Sequence, residues 1–316
     1  MLYDSGFEVG AALVQHPQTK AVGFTGSIKG GMALYHLAQS RPDPIPVFAE
    51  MGSVNPIVIL PEYLKKDPQA LAKKLTISVT ADAGQFCTDP GLIFVTKTAG
   101  FDAFELALQT AFKEVPPTTM LTSGMCKNYF KLCAETLQTE HVAVLALSEK
   151  TSTLKNQSKA TIAKVKGRDF IKNVHLQEEI FGPFTLLVVC EDTNELYAAI
   201  STLKGQLTAS ILAELSEITT YPQILEQLQT IAGRVIFDGV PTGVTVCPSM
   251  HHGGPFPAST DSRFTSVGRD SILRFVRPQS YQNWPDALLP AELQNNNPLG
   301  ISRLVNNEWT KDAIPA

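Results

Sequence analysis

The sequence predicts an α/β protein built on a mainly parallel sheet. Short apolar runs alternate with longer segments of helical periodicity along most of the chain. The 316 residues are 44% hydrophobic and 18% charged, which is enough to bury large cores in about two domains. We find no internal repeat and no low-complexity tract that would indicate another architecture.

The predicted elements follow one another in strand and helix order. Continuous apolar runs bounded by Gly, Pro or polar residues indicate buried strands, and apolar residues at helical spacing indicate helices. Pro68 suits a first helical turn, and Cys126 and Cys133, seven residues apart, share one helical face and are predicted core residues. We expect strands at residues 20–26, 45–51, 55–61, 91–97, 141–147, 184–190 and 233–239, a further apolar run at 207–213, and helices at 27–38, 67–80, 101–115, 126–137, 193–203 and 221–232.

The last quarter of the chain changes in character. Residues 240–270 are rich in Pro, Gly, Ser and Thr, which predicts an ordered functional loop. The remaining residues contain several prolines and both tryptophans, and we expect an extended tail that lies on another surface.

Composition restricts the classes of partner. The net charge is −4 and the positive residues are dispersed, so nothing favours nucleic acid or an anionic membrane surface. No apolar run reaches transmembrane length, and the first residues lack the pattern of a signal peptide. The five cysteines are odd in number, irregularly spaced and without zinc-like pairs. We therefore expect a reduced, cytoplasmic protein without a metal site.

One cysteine stands in a turn-forming segment. Residues 81–91 read ADAGQFCTDPG, with Cys87 between Phe86 and Thr88. A structural cysteine usually lies among aliphatic side chains, which this segment lacks. An exposed thiolate is a strong nucleophile, and the backbone N–H groups of such a turn can stabilise an oxyanion. The residues leave two interpretations open, a nucleophile and an ordinary loop cysteine.

A glutamate ends one of the predicted buried strands. Glu50 lies in PVFAEMGSVNP, at the carboxyl end of the strand, where open α/β sheets place ligands and chemistry. Partial burial would raise the pKa of this carboxylate and make it a usable general base. The alternative is a solvated strand end.

Two further segments could bind parts of a nucleotide. In VGFTGSIKGG, the small residues Gly26 and Gly31 would let a phosphate approach the start of a helix, although an ordinary strand, turn and helix gives the same pattern. In LQEEIFGPF, Glu179 could take both hydroxyls of a ribose while Phe181 packs on a flat ring. The alternative there is a charged turn before a strand.

Taken together and in this order, the motifs resemble those of the aldehyde dehydrogenase superfamily. The matching segments are VGFTGS with Gly26 and Gly31, AEMGSVNP with Glu50, GQFC with Cys87 and EEIFGP with Glu179. The resemblance covers essentially the whole chain. PFPASTDSRFTSVG, and Gly-Ser-Val where common members have Gly-Gly-Lys, are most similar to the branch that acts on 2-oxoglutarate semialdehyde (2,5-dioxopentanoate).

The resemblance implies a mechanism and a cofactor. Cys87 would attack the aldehyde carbon, hydride would pass to NAD or NADP, and Glu50 would activate the water that hydrolyses the resulting thioester. Gly26, Ser27 and Gly31 would border the cofactor phosphates. Glu179 would hold the nicotinamide-side ribose, with Phe181 beside it. The partners implied are a small aldehyde and further copies of the chain, in a dimer or tetramer.

The resemblance also implies a domain division. Residues 1–51 would be the C-terminal part of the NAD(P)-binding domain, with a helix at 7–17. Residues 52–259 would be the catalytic domain, and residues 260–316 a tail that returns to the cofactor domain or to an oligomer interface. Roughly the first two fifths of a full family member, including the asparagine of the oxyanion hole and a lysine for the adenosine ribose, would precede Met1. We expect such a chain to have weak or no activity alone.

Two other functions stay open at this stage. Cys87 could pair with a histidine of His251-His252 in a cysteine hydrolase, although the family resemblance makes both histidines walls of a substrate tunnel. The chain could also be a non-catalytic subunit. For an acidic aldehyde, Arg263 is a possible cationic anchor, but a loop arginine is more often structural.

Overall fold

The computed structural model describes residues 6–315, and the chain divides into two compact units between Arg274 and Phe275. The first unit contains the sheets discussed below, and the second contains a short antiparallel hairpin. The domain division at 51/52 and 259/260 stays a prediction. Within residues 6–315, no helix has the length and apolar character needed to cross a membrane.

The helices and strands are numbered here in chain order. The strands are β1 (Val22–Thr25), β2 (Val47–Glu50), β3 (Ile57–Ile59), β4 (Leu92–Thr96), β5 (Thr118–Thr119), β6 (Ala143–Leu147), β7 (Gln157–Ser158), β8 (Thr161–Lys166), β9 (Phe184–Cys190), β10 (Gln206–Leu212), β11 (Ala232–Phe237), β12 (Arg303–Val305) and β13 (Glu308–Thr310). The α-helices are α1 (Glu8–Gln15), α2 (Ile28–Gln39), α3 (Pro61–Lys66), α4 (Pro68–Thr80), α5 (Phe101–Glu114), α6 (Ser123–Leu137), α7 (Gly167–Lys172), α8 (Thr193–Ser201), α9 (Leu215–Thr220) and α10 (Pro222–Ile231).

A seven-stranded sheet forms the centre of the first unit, in the order β11-β10-β3-β4-β9-β8-β6. Every neighbouring pair is parallel except β6 and β8, which confirms the mainly parallel α/β class. All residues of β4 and β10 are buried, as expected for central strands covered by helices on both faces.

Each face of this sheet has its own core. In β4, Leu92 and Phe94 belong to one apolar cluster, whereas Ile93 and Val95 belong to the other, because successive side chains point to opposite faces. Strands β1 and β2 pair separately in parallel, and their core includes Ala49 and residues from α1 and α2. The carboxyl end of β2 therefore belongs to a second, smaller layer.

Most predicted elements are confirmed, with ends that differ by a few residues. Strand β9 covers the predicted residues 184–190, and Cys126 and Cys133 are buried in the core as expected. The sequence analysis missed β8, in which Lys164 and Lys166 interrupt the apolar run. It also missed the short helices α3, α7 and α9, which are six residues each and show too few turns for helical periodicity.

Two glycines join the cysteine-bearing turn to the loop before β9. Gly84 has φ +63°, and a Cβ there would lie 2.2 Å from the backbone carbonyl carbon of Gly182. Gly182 has φ +146°, and a Cβ there would lie 2.3 Å from the ring of Tyr129. The Tyr129 hydroxyl donates to the Lys159 carbonyl oxygen at 2.7 Å, so this ring is fixed. The FGP part of EEIFGP thus has a packing role.

We predict that Gly182→Ala lowers the free energy of unfolding by about 2–4 kcal/mol, since the methyl group adds both backbone strain and overlap with a buried ring. The matched control is Gly124→Ala in the first turn of α6, where the nearest atom to a new Cβ is 3.8 Å away. That control should change stability by less than about 1 kcal/mol, in the stabilising direction. Urea unfolding of the two variants measures the difference; equal midpoints would contradict the packing role.

Candidate active site

Cys87 lies in a turn without regular secondary structure, just after a 3₁₀ helix at Ala81–Gly84, and it is half-buried. The backbone of this turn is held by one side chain. Asn55 Nδ2 donates to the carbonyl oxygens of Cys87 at 3.0 Å and Asp89 at 2.9 Å. The position of Cys87 is therefore set by a residue next to β3 as well as by the conformation of the turn.

Asn55 is a residue whose role the sequence pattern did not indicate. It is fully buried and has φ +44°, a left-handed conformation that Asn tolerates better than most residues. Its Oδ1 accepts a hydrogen bond from the Thr208 hydroxyl at 2.9 Å, and its backbone N–H donates to Gln206 Oε1 at 3.2 Å. Asn55 therefore ties the cysteine turn to β10.

Next to the sulfur lies a histidine from the loop at residues 240–270. The distance from Cys87 Sγ to His252 Nε2 is 3.2 Å, and from His252 Nδ1 to Glu50 Oε2 it is 3.1 Å. Both His252 and Glu50 are buried, with side chains 7% and 4% exposed. Since Nδ1 finds no well-aligned acceptor, its contact with Glu50 is an ion pair and not a directed hydrogen bond. The imidazole thus lies between the two predicted catalytic residues.

The loop reaches this position by running along β2. Met51 N–H donates to the Ala258 carbonyl oxygen at 2.8 Å, and Thr260 N–H donates to that of Ala49 at 3.0 Å. Between these bonds, Glu50 and Ser259 form an antiparallel bridge. The loop therefore extends the small β1–β2 layer and carries His252 to the end of β2.

The charges around His252 favour its cationic form. Burial by itself would lower the pKa of His252, but its close contacts with Cys87 and Glu50, together with the charges of these two groups, outweigh burial and raise this pKa to about 10. The Ser266 hydroxyl also donates to Glu50 Oε2. At neutral pH the centre therefore holds an imidazolium between a sulfur and a carboxylate.

The same three side chains could in principle hold a metal ion. Their ligand atoms lie within 4.8 Å of one another, although the sequence predicts no metal. One ion takes a single imidazole nitrogen, whereas here Nε2 faces Cys87 and Nδ1 faces Glu50. The arrangement thus favours a chain of charged contacts over a metal site.

The glycine segment forms the start of α2 beside this centre. Gly26 N–H donates to the Glu50 carbonyl oxygen at 3.1 Å, and Ser27 caps the helix by accepting from Gly30 N–H at 3.2 Å. A Cβ on Gly31 would lie 2.6 Å from Met51 Sδ, so Gly31 allows close packing of α2 on β2. The exposed start of this twelve-residue helix can still receive a phosphate.

Glu179 lies on the other side of the segment after β2. A Cβ on Gly52 would be 2.5 Å from its Oε2, and the carboxylate accepts a hydrogen bond from the Ser53 N–H. Burial raises the pKa of Glu179 to about 7. The pKa of Asp89 is raised as well, mainly because this carboxyl is buried and to a smaller extent because of the charge of Glu179. Phe181, two residues further, is half-buried. All four predicted segments therefore meet around residues 50–53.

The structure shows which side chain His252 contacts, which the sequence left open. The pair His251-His252 in a Gly- and Pro-rich loop was compatible with a tunnel wall or with a partner of Cys87, and His252 contacts the sulfur. Arg263, by contrast, pairs with Asp261 at 2.6 Å and its side chain is 79% exposed.

Comparison with known proteins identifies the family of this chain. The profile of the aldehyde dehydrogenase family matches residues 1–255. An alpha-ketoglutaric semialdehyde dehydrogenase of Acinetobacter baylyi is 43% identical over 308 residues, which cover 97% of this chain and 58% of that protein. Alpha-ketoglutaric semialdehyde dehydrogenase 2 of Azospirillum brasilense is 40% identical over 304 residues, covering 96% of this chain and 58% of the relative. The chain thus spans little more than half the length of these relatives.

Solved structures agree on the fold. A 1-pyrroline-5-carboxylate dehydrogenase superposes with a TM-score of 0.71 at 19% identity, covering 87% of this chain and 53% of that one. A gamma-glutamyl-gamma-aminobutyraldehyde dehydrogenase of Burkholderia cenocepacia gives 0.64 at 20% identity, covering 79% and 50%. At these identities the likeness concerns architecture alone.

We predict that His252→Asn slows alkylation of Cys87 by iodoacetamide at pH 7 by about ten-fold or more, because a nearby cation stabilises the reactive thiolate. Peptide mapping by mass spectrometry distinguishes Cys87 from the other four cysteines. His251→Asn is the matched control and should react at the wild-type rate. Equal rates in the two variants would show that His252 does not act on the sulfur.

We also predict that Glu179→Gln removes a pH dependence of stability. The unfolded chain releases this proton near pH 4.5, whereas the folded protein keeps it up to about 7. Stability of the wild type should therefore fall as pH rises through this window, by about 3 kcal/mol, and the variant should escape that loss. Glu178→Gln, the exposed neighbour, is the control. Parallel stability curves for wild type and Glu179→Gln would be the contrary result.

Proposed function

Because the chain belongs to the aldehyde dehydrogenase family, we propose that its centre oxidises an aldehyde to a carboxylic acid through a thioester on Cys87. The observation that carries this proposal is the contact of Cys87 with His252, which in turn pairs with Glu50. The chain contributes a nucleophile, a cation that stabilises its thiolate and a carboxylate base.

The first half of the reaction uses the sulfur. The Cys87 thiolate attacks the aldehyde carbon, and the carbonyl oxygen becomes the alkoxide of a thiohemiacetal. Among the described residues, the Cys87 N–H donates to no backbone carbonyl, so it is available to this oxygen. Collapse of the alkoxide expels hydride from carbon and leaves the thioester.

The second half uses the carboxylate. Glu50 removes a proton from water, the resulting hydroxide adds to the thioester carbon, and the acid leaves with regeneration of the Cys87 thiolate. His252 then pairs again with the sulfur. Ser266 holds the Glu50 carboxylate throughout. The buried positions of Glu50 and His252 keep this proton transfer away from bulk water.

The family generally uses NAD or NADP, which when bound supplies the hydride acceptor. The exposed start of α2 at the carboxyl end of two parallel strands fits a cofactor phosphate. In this proposal Gly26, Ser27 and Gly31 border the phosphates, while Glu179 and Phe181 lie on the nicotinamide side.

The relatives' names suggest the substrate. Both the Acinetobacter and the Azospirillum proteins are named for alpha-ketoglutaric semialdehyde. We therefore propose the conversion of 2-oxoglutarate semialdehyde to 2-oxoglutarate. Assembly as a dimer or tetramer and a cytoplasmic location stay predictions.

One observation favours a second candidate, a cysteine hydrolase. A thiolate, an imidazole and a carboxylate in contact are also the elements of nucleophilic hydrolysis, which needs no nicotinamide. In a hydrolase, however, the start of α2 and Glu179 beside Gly52 have no assigned task. The oxidation therefore accounts for more of the site.

We predict that the wild-type chain forms reduced nicotinamide cofactor in the presence of 2-oxoglutarate semialdehyde. Cys87→Ser should lower the rate by about a thousand-fold or more. Glu50→Gln should keep a burst of up to one reduced cofactor per site and lose the steady-state rate, since only thioester hydrolysis needs the base. Cofactor absorbance in stopped flow measures both.

Ester hydrolysis is the counter-assay. If the chain hydrolyses an activated ester at a rate independent of nicotinamide cofactor and oxidises no aldehyde, the hydrolase replaces the proposed function. If Cys87→Ser has the wild-type oxidation rate, the thioester mechanism is wrong.

A further inference from the structure

The oxidation proposed above leaves the far end of the substrate without a binding group. A semialdehyde of a dicarboxylic acid carries a carboxylate, and the centre already contains the side chains of Glu50 and Cys87, which lie within 4.8 Å of each other. A further anion next to these groups is repelled unless a cation compensates for it. His252 is occupied by its two partners.

Arg234 lies on the sheet face that supports the cysteine turn. It pairs in register with Thr208 on the neighbouring parallel strand, so the two side chains point to the same face. The Thr208 hydroxyl donates to Asn55 Oδ1 at 2.9 Å, and Asn55 Nδ2 donates to the Cys87 carbonyl oxygen at 3.0 Å. The face that carries Arg234 is therefore the face from which the nucleophile is held.

The residue before Arg234 contacts the histidine-bearing loop. A Cβ on Gly233 would lie 2.1 Å from the Gly253 carbonyl oxygen, so β11 passes directly against the backbone next to His252. Arg234 thus follows a point of close contact with the loop, while its register partner is joined to the cysteine turn. Strand β11 therefore lies beside the segment that carries His252, and its neighbour β10 is joined to the cysteine turn.

The guanidinium has an incomplete set of partners. Arg234 is half-buried, and within residues 6–315 its one hydrogen bond runs from Nη2 to the Pro241 carbonyl oxygen at 3.0 Å, with no carboxylate in ion-pair contact. A buried charge is normally paired, so the remaining donors suit an anion that arrives from outside. Burial lowers the pKa of Arg234, and the charge of Cys87 opposes this effect.

Two other arginines are poorer candidates. Arg263 uses its side chain on Asp261 and is largely exposed. Arg274 donates to the carbonyl oxygens of Ser266 and Ser271, at 2.8 and 3.0 Å, and so is bound to backbone.

We propose that Arg234 binds the carboxylate of the substrate and so selects acidic aldehydes. The inference rests on the proposed function for its biological substrate, but the carboxylate site itself can be tested without any oxidation. Two alkylating reagents of nearly equal size, iodoacetate and iodoacetamide, differ in the charge that approaches Cys87.

In the full chain at low ionic strength, we expect Arg234→Gln to lower the ratio of the iodoacetate rate to the iodoacetamide rate at Cys87 by roughly ten-fold. Arg234→Lys should retain part of the preference, and salt should weaken it in the wild type. Arg263→Gln is the matched control and should leave the ratio unchanged. Thermal unfolding of each variant checks that it is folded. A ratio that stays the same would overturn the proposal. If neither rate falls, Arg234 does not act at this site, and if both rates fall equally, Arg234 acts on the sulfur and not on the approaching carboxylate.

The oxidation assay separates this inference from the proposed function. Arg234→Gln should raise KM about a hundred-fold for 2-oxoglutarate semialdehyde and lower kcat/KM for this acidic aldehyde at least ten-fold more than kcat/KM for pentanal. If the wild type oxidises neither aldehyde, the proposed function fails while the reagent ratio still decides on Arg234. If the wild type oxidises both and the variant keeps the acidic preference, the inference fails and the oxidation stands.

Discussion

The site depends on one charged contact, the imidazolium of His252 between Cys87 and Glu50. The sulfur and the imidazole are 165 residues apart in the chain, and they meet because the loop after β11 runs back along β2. Removing either neighbour leaves a buried charge without compensation, which is costly in a protein interior. The contact therefore fixes the reactive state of the cysteine and also the path of a long loop that contains no helix or strand between residues 240 and 268.

A second constraint aligns the cysteine turn with the sheet. Asn55 satisfies the carbonyl groups of the turn and is itself held by Thr208, so Cys87 rests on the amino-terminal end of the seven-stranded sheet. The close backbone packing of Gly84 against Gly182 also restrains the turn, from the side of the loop before β9. Backbone that is fixed in this way needs little reorganisation when charge develops on a reacting oxygen, and this is the usual origin of large rate effects.

The sequence predicted the fold class and most elements, because apolar periodicity and turn residues are local signals, and the family resemblance indicated which segments converge. It could not predict that His252, and not only Glu50, neighbours Cys87, since that contact depends on the path of a loop without periodicity. The positioning role of Asn55 and the place of Arg234 beside Thr208 were missed for a related reason: each depends on which strands are neighbours in the sheet, which a single sequence does not encode locally. Strand β8 was missed because Lys164 and Lys166 interrupt its apolar run, although the strand is mostly buried between β9 and β6.

The most direct test of the central contact is the protonation state of His252, measured by ¹⁵N NMR of its imidazole across pH. We predict an imidazolium with both nitrogens protonated through neutral pH, losing its proton only at about pH 10, and at a lower pH in Cys87→Ser. A neutral imidazole at pH 8 in the wild type would contradict the account, because neither the thiolate nor the carboxylate would then be paired as described.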